Sequence, residues 1–226
     1  MKKQFILLLV LILVSINSNS HPIDAPIPFS EPMESKMAML ANKFNINMDA
    51  VRLAMNGFEK LKNLGRISNL RYLTIADFSK PSNEERLFVV DMMLGEVVIK
   101  TLVAHGKNSG TLFANQFSNK NASHQSSLGF YVTGHPYKGK HGTSLELNGV
   151  EMGFNDQAKN RAIVIHGADY VSKDFIQQQG YIGRSQGCPA VPNNKVSDII
   201  LAIQGASCMF IYAPNKDYLK KSLLAN

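Results

Sequence analysis

Between Met48 and Leu64 the apolar positions Val51, Ala54, Met55, Phe58 and Leu61 recur at the i, i+3, i+4, i+7 spacing of one helical face. Asn47 or Asp49 offers a capping oxygen at the start, and Gly65 suits the turn that ends a helix. The run from Glu34 is also helical in character, so the pattern predicts a helical segment over 36–66. Beyond Gly65 the rhythm shortens to apolar runs separated by turn residues. Leu70–Phe78 and Arg86–Met92 read as strands joined through Lys80-Pro81-Ser82-Asn83. Leu94-Gly95-Glu96 then turns into Val97–His105, which makes 86–105 a hairpin. Leu128–Thr133, Ser144–Leu147, Ala162–His166 and Cys208–Tyr212 continue the series. A single helix over Lys195–Gln204, with Val196, Ile199, Ile200 and Ile203 on one side, precedes the last strand.

These elements predict a mainly β fold, a β-sandwich or barrel-like body over 67–215 with few helices and an N-terminal helical segment. Residues 216–226 read as a basic tail with no assigned place. Gly106–Gln125 is a long polar stretch of the kind that is commonly functional or mobile.

The start of the chain is different in kind. Met1-Lys2-Lys3 is a positive leader, Phe5–Ile16 is nearly unbroken Leu, Ile and Val, and Asn17-Ser18-Asn19-Ser20 is a polar exit. That reads as an export signal over 1–20, so the protein is expected in the periplasm or cell envelope with no stable membrane span once the leader is removed. Prolines at 22, 26, 28 and 32 make 21–35 an extended tether. Loss of Lys2 and Lys3 lowers the formal charge from +7 to +5. Such mild basicity suits an anionic polymer or merely a soluble surface. No cluster of Lys and Arg interleaved with aromatics is present, so nucleic acid is not an expected partner.

Chemistry concentrates in two short words. His166 ends the apolar run Ala162–Ile165, and Cys188 sits in Gly183-Arg184-Ser185-Gln186-Gly187-Cys188-Pro189, a turn of polar residues and glycine. A thiol in that setting is placed unlike a core thiol, and one chain reversal brings a histidine about twenty residues upstream to it. An imidazole in reach takes the thiol proton and creates the nucleophile. Gly187 lets backbone amides face an oxyanion, Ser185 or a carbonyl is a candidate to orient the imidazole, and Arg184 offers a fork to a carboxylate. Cys208, by contrast, lies in an apolar run and reads as a small core residue, unless it pairs with Cys188 in a disulfide. His135 and His141, six apart, raise a zinc alternative, but no acidic motif at helical spacing accompanies them. Asp169 and Tyr170 are further candidates to orient His166.

His166-Gly167 followed by Ser185-Gln186-Gly187-Cys188 resembles the His-Gly … Ser-x-Gly-Cys signature of L,D-transpeptidases, the YkuD-type enzymes of bacterial cell walls. The words R-A-I-V-I-H-G-A-D-Y-V and G-R-S-Q-G-C-P-A-V are similar to the murein L,D-transpeptidase catalytic domain branch, and the likeness runs from about Leu73 to Tyr212. It takes in F-S-K-P-S at 78–82, V-A-H-G-K-N-S-G at 103–110, S-S-L-G at 126–129 and K-H-G-T-S-L-E-L at 140–147. The better-studied branch has His where this chain has Gln186, and Arg where it has Ala190. The resemblance implies Cys188 as nucleophile and His166 as base, with Ser185 and Gly187 completing the catalytic set. It implies Arg184, Gly167, His141 and Ser127 as substrate contacts, with His105 and Ser126 as further cleft candidates. The implied substrate is a peptidoglycan tetrapeptide stem. Its terminal D-alanine leaves and its acyl group passes to an amine, giving a 3→3 cross-link, or to water. No metal or organic cofactor is implied, and a non-catalytic wall-binding protein stays the other class of reading.

Overall fold

The computed structural model describes residues 33–226. The leader expected at 1–20 and nearly all of the proline-rich tether lie outside the described residues. The helical segment is two helices, α1 (Met33–Phe44) and α2 (Met48–Asn63), because Asn45 takes a left-handed φ of 52° and breaks the run. Asn47 caps α2 by accepting from the amides of Asp49 and Ala50. Val51, Ala54, Met55, Phe58 and Leu61 are all buried, and each large member contributes about 1.5–3 kcal/mol by leaving water. Gly57 on the same face is packed so closely that a Cβ there would stand 2.1 Å from the Phe130 ring.

The strands are β1 (Asn69–Asp77), β2 (Leu87–Asp91), β3 (Glu96–Thr101), β4 (Gly129–Gly139), β5 (Gly142–Gly149), β6 (Val164–Gly167), β7 (Ala190–Val191) and β8 (Ser207–Tyr212). They form one eight-stranded sheet in the order β3-β2-β1-β8-β4-β5-β6-β7. Just past β3, Ala104 bridges Ala190 of β7, so the two ends of the sheet nearly meet and the barrel-like expectation holds rather than a two-sheet sandwich. The hairpin over β2 and β3 pairs antiparallel as the turn chemistry demands. Strand β4 runs six residues beyond its expected end at Thr133, through Gly134-His135-Pro136. A register shift between Thr133 and Pro136 absorbs the proline, which cannot donate to the ladder.

Helix α4 (Asn193–Ile203) buries Val196, Ile199, Ile200 and Ile203 against β1, β5 and β6. The short helix α3 (Lys173–Gln179) lies on the crossover between β6 and β7, which pair in parallel. The expected basic tail is instead part of the body. Helix α5 (Lys216–Lys221) buries Tyr218, whose hydroxyl donates to Glu151 at 2.9 Å, and Ser222 donates to the same carboxylate. The backbone N–H of Phe130 supplies a third bond at 2.7 Å, so a buried acid anchors the end of the chain.

Candidate functional site

Pairing of β6 with its neighbours assembles the site. His166 stands opposite Ser144 of β5 and opposite Ala190 of β7, and Cys188 lies two residues before Ala190. Both His166 and Cys188 line one cavity of about 510 Å³. The β4–β5 hairpin contributes Tyr137, Lys140 and His141 to its wall, and the long polar stretch contributes Asn121, Ala122 and His124. A separate cavity of about 570 Å³ contains Asp169 and neither the thiol nor the imidazole. Asp169 accepts from Asn193 Nδ2 at 2.5 Å and so does not orient His166.

His166 is buried, and its Nδ1 lies 2.9 Å from the Gly167 carbonyl. A carbonyl only accepts, so Nδ1 carries the proton and Nε2 keeps a lone pair. The imidazole stacks on that of His141, with centroids 4.4 Å apart and planes 20° off parallel. Burial pulls the His166 pKa below the usual histidine range; the Gly167 carbonyl opposes this, and His141 and Lys140 reinforce it. The Cys188 thiol, half-buried and 3.6 Å from the Ala162 carbonyl, is pushed up by burial. The Val164 N–H and the charges of Arg161 and Lys140 pull it partly back. Both shifts disfavour charge, raising the thiol and lowering the imidazole, so burial works against a preformed thiolate–imidazolium pair in this cavity. Alkylation of Cys188 by iodoacetamide should accordingly be slow at pH 7 and climb only above the ordinary thiol range, followed by peptide mass spectrometry. A plateau of fast alkylation starting below pH 7 would contradict this.

The other expected site residues divide. Arg184 lines the cavity and its Nη1 donates to the Gly110 carbonyl at 3.2 Å. Ser185 lines it too, but its hydroxyl donates to the Cys188 carbonyl at 2.6 Å and accepts from the Gly187 amide at 3.0 Å. It shapes the turn and bonds no imidazole. Gly187, at φ 126°, uses its amide on Ser185, so that amide is not free for an oxyanion. Gly167 serves the site through its carbonyl, and a Cβ on it would stand 2.3 Å from Asn193 Oδ1. His141 is in place on the cavity wall.

Ser127, expected to touch substrate, is buried instead: it donates to the Ser118 carbonyl at 2.9 Å and accepts from Arg161. Ser126 is buried likewise, accepting from the Gly106 amide at 3.0 Å. His105 is fully buried away from the cavity, held between Arg86 and Gly110. Arg161 and Lys140, to which the sequence reading gave no role at the site, add positive charge to the wall. Tyr170, an expected orienter, lines the cavity without bonding His166, and burial lifts its pKa to about 12.

Cys188 and Cys208 are both free thiols, and Cys208 is buried on β8. Among the described residues no group of three or more His, Cys, Asp or Glu is placed to hold a metal ion. No helix among them is long and apolar enough to cross a membrane.

A thiol and an imidazole that share one cavity at the edge of a barrel-like sheet define a candidate cysteine-dependent acyl-transfer site. The family model of the L,D-transpeptidase catalytic domain matches residues 42–212, so the chain belongs to that family. No curated protein matches the sequence. Among solved structures, an L,D-transpeptidase from Mycobacterium smegmatis aligns with a TM-score of 0.39 and 14% identity, over 63% of this chain and 59% of that one. One from Stackebrandtia nassauensis gives 0.39 and 13%, over 75% and 67%. The helical cell shape determining protein Pgp2 from Campylobacter jejuni gives 0.42 and 16%, over 86% and 62%. The chain thus spans less than two thirds of the first of these, and the family assignment rests on the sequence match.

Proposed function

We propose that this protein is a cysteine-dependent peptidoglycan L,D-transpeptidase, exported to the periplasm or cell envelope. The observation that carries the reading is the shared cavity of Cys188 and His166, with Nε2 of His166 left as an acceptor, in a chain of this family. The charged side chains on the wall are Lys140, Arg161 and Arg184, with no carboxylate among them. That charge supports a ligand that carries carboxylates, as a stem peptide does.

In the proposed reaction the Cys188 thiol gives its proton to Nε2 of His166 as sulfur attacks the carbonyl carbon of the bond preceding the terminal D-alanine. The imidazolium then protonates the departing amine, the C–N bond breaks, and a thioester remains. An amine of a neighbouring stem attacks that thioester and gives its proton to His166, which returns it to the sulfur. With water as acceptor the same steps make an L,D-carboxypeptidase.

The test is mass spectrometry of muropeptides after incubation of the full-length protein with tetrapeptide-rich sacculi. A 3→3 dimer is the expected product. A tripeptide monomer alone would reassign the protein as the carboxypeptidase. No change would overturn both and leave a non-catalytic wall-binding protein.

A further inference from the structure

Arg161 precedes β6 and spreads its guanidinium across the long polar stretch. Nη1 donates to the Ser118 carbonyl at 2.7 Å and to Ser127 Oγ. Nη2 donates to the Gln125 carbonyl at 2.6 Å and to Ser123 Oγ at 3.2 Å. All four acceptors lie between 118 and 127, the stretch that also places Asn121, Ala122 and His124 on the cavity wall. On its other side the guanidinium abuts the nucleophile's turn: a Cβ on Gly187 would stand 3.2 Å from Nη2 and 2.9 Å from the Gln125 carbonyl. The four acceptors are neutral, and among the described residues no carboxylate pairs with Arg161. Its charge thus lies against Gly187, the residue next to Cys188, in a half-buried site where screening is weaker than in water.

We infer that Arg161 is a positioning residue for the nucleophile, clamping the 118–127 stretch against the Cys188 turn while supplying the positive charge that stabilises the developing thiolate. The inference rests on Cys188 being the nucleophile. The two duties are separable by chemistry. A planar fork with several donors makes the clamp, which a lysine cannot copy, whereas a lysine does retain the charge. The other titratable groups on the cavity wall are Tyr137, Lys140 and His141 on the hairpin, His124 on the clamped stretch, His166 on β6, and Tyr170 and Arg184, and the Arg161 variants leave their identities unchanged.

The experiment uses the full-length protein carrying Arg161→Met or Arg161→Lys. It reads thiolate formation at Cys188 by the pH dependence of iodoacetamide alkylation, alongside kcat and KM on a tetrapeptide stem. Arg161→Met should move the alkylation profile up by about one pH unit or more. Arg161→Lys should leave that profile close to the parent while KM rises, because the clamp is lost and the charge is kept. Ser123→Ala, which removes one clamp bond and the local bond from the Gln125 amide at a half-buried position, should raise KM slightly with no change in the profile, and it covers the case in which Arg161→Met fails to fold. Unchanged profiles and kinetics in Arg161→Met would overturn the inference, as would equal upward shifts of the profile in the Met and Lys variants. Failure of the parent protein to turn over any stem or to be acylated would instead refute the enzymatic reading itself.

Discussion

Cys188→Ala is expected to abolish stem turnover, a fall in kcat on the order of 10⁴–10⁶ by comparison with other nucleophile deletions. The reason is specific to the covalent route: with no sulfur there is no thioester, and the remaining wall of the cavity can only bind. His166→Ala should approach the same loss, because burial raises the thiol pKa and its proton must pass to a base as sulfur attacks, the role given to Nε2. The two losses should not add, since the groups act as one unit. Cys208→Ala should retain turnover, its thiol being sealed in the core on β8. Intact mass after exposure to imipenem gives an independent reading: one covalent adduct in the parent and in Cys208→Ala, none in Cys188→Ala. An adduct surviving in Cys188→Ala would sink the assignment of the nucleophile.

Arg86→Ala should cost about 3–5 kcal/mol of stability, read as a shift in the urea midpoint. Arg86 is wholly buried, and its guanidinium stitches three segments together. Nε and Nη2 donate to the Val103 carbonyl at 3.1 and 3.0 Å, and Nη1 to the Lys80 carbonyl at 2.8 Å. Nη2 also reaches His105 Nδ1 at 2.7 Å, while the cation lies 4.7 Å from the centre of the Phe78 ring. Burial lowers the Arg86 pKa to about 9, with Asp77 opposing the shift. Because Arg86 can only donate, His105 Nδ1 accepts, and Nε2 donates to the Gly110 carbonyl at 3.2 Å. The imidazole is thereby held neutral, with a pKa lowered to about 4 by burial first and the Arg86 charge second.

The sign of the pH effect follows. The unfolded chain binds a proton at His105 near 6.5 and the folded one only near 4, so stability is full above 6.5 and is lost as pH falls from 6.5 to 4. The loss from this group amounts to about 3 kcal/mol. His105→Gln should flatten that part of the stability profile, and an unchanged slope would show that the imidazole is not the sensor. Effects should reach the site as well, since the Ser185 amide donates to the His105 carbonyl at 3.0 Å and Lys107 returns a bond to the Ser185 carbonyl at 2.8 Å.

Local pattern was enough for α2, the β2–β3 hairpin, α4 and β8, because each buries one face whose spacing is written in consecutive residues. His166 and Cys188 stood out as candidates from their immediate neighbours, and pairing of β6 and β7 puts both on one cavity. Interactions between distant segments were not readable in this way. Arg161 finds its partners 34 to 43 positions away, Ser127 among them. Tyr218 and Ser222 reach Glu151 across 67 and 71 positions, which turned an apparent tail into part of the body. Spacing along the chain sets which faces are apolar, whereas a buried charge is satisfied by whatever donors and acceptors the nearly closed, barrel-like sheet brings to it. Those partners exist only after the distant strands have paired.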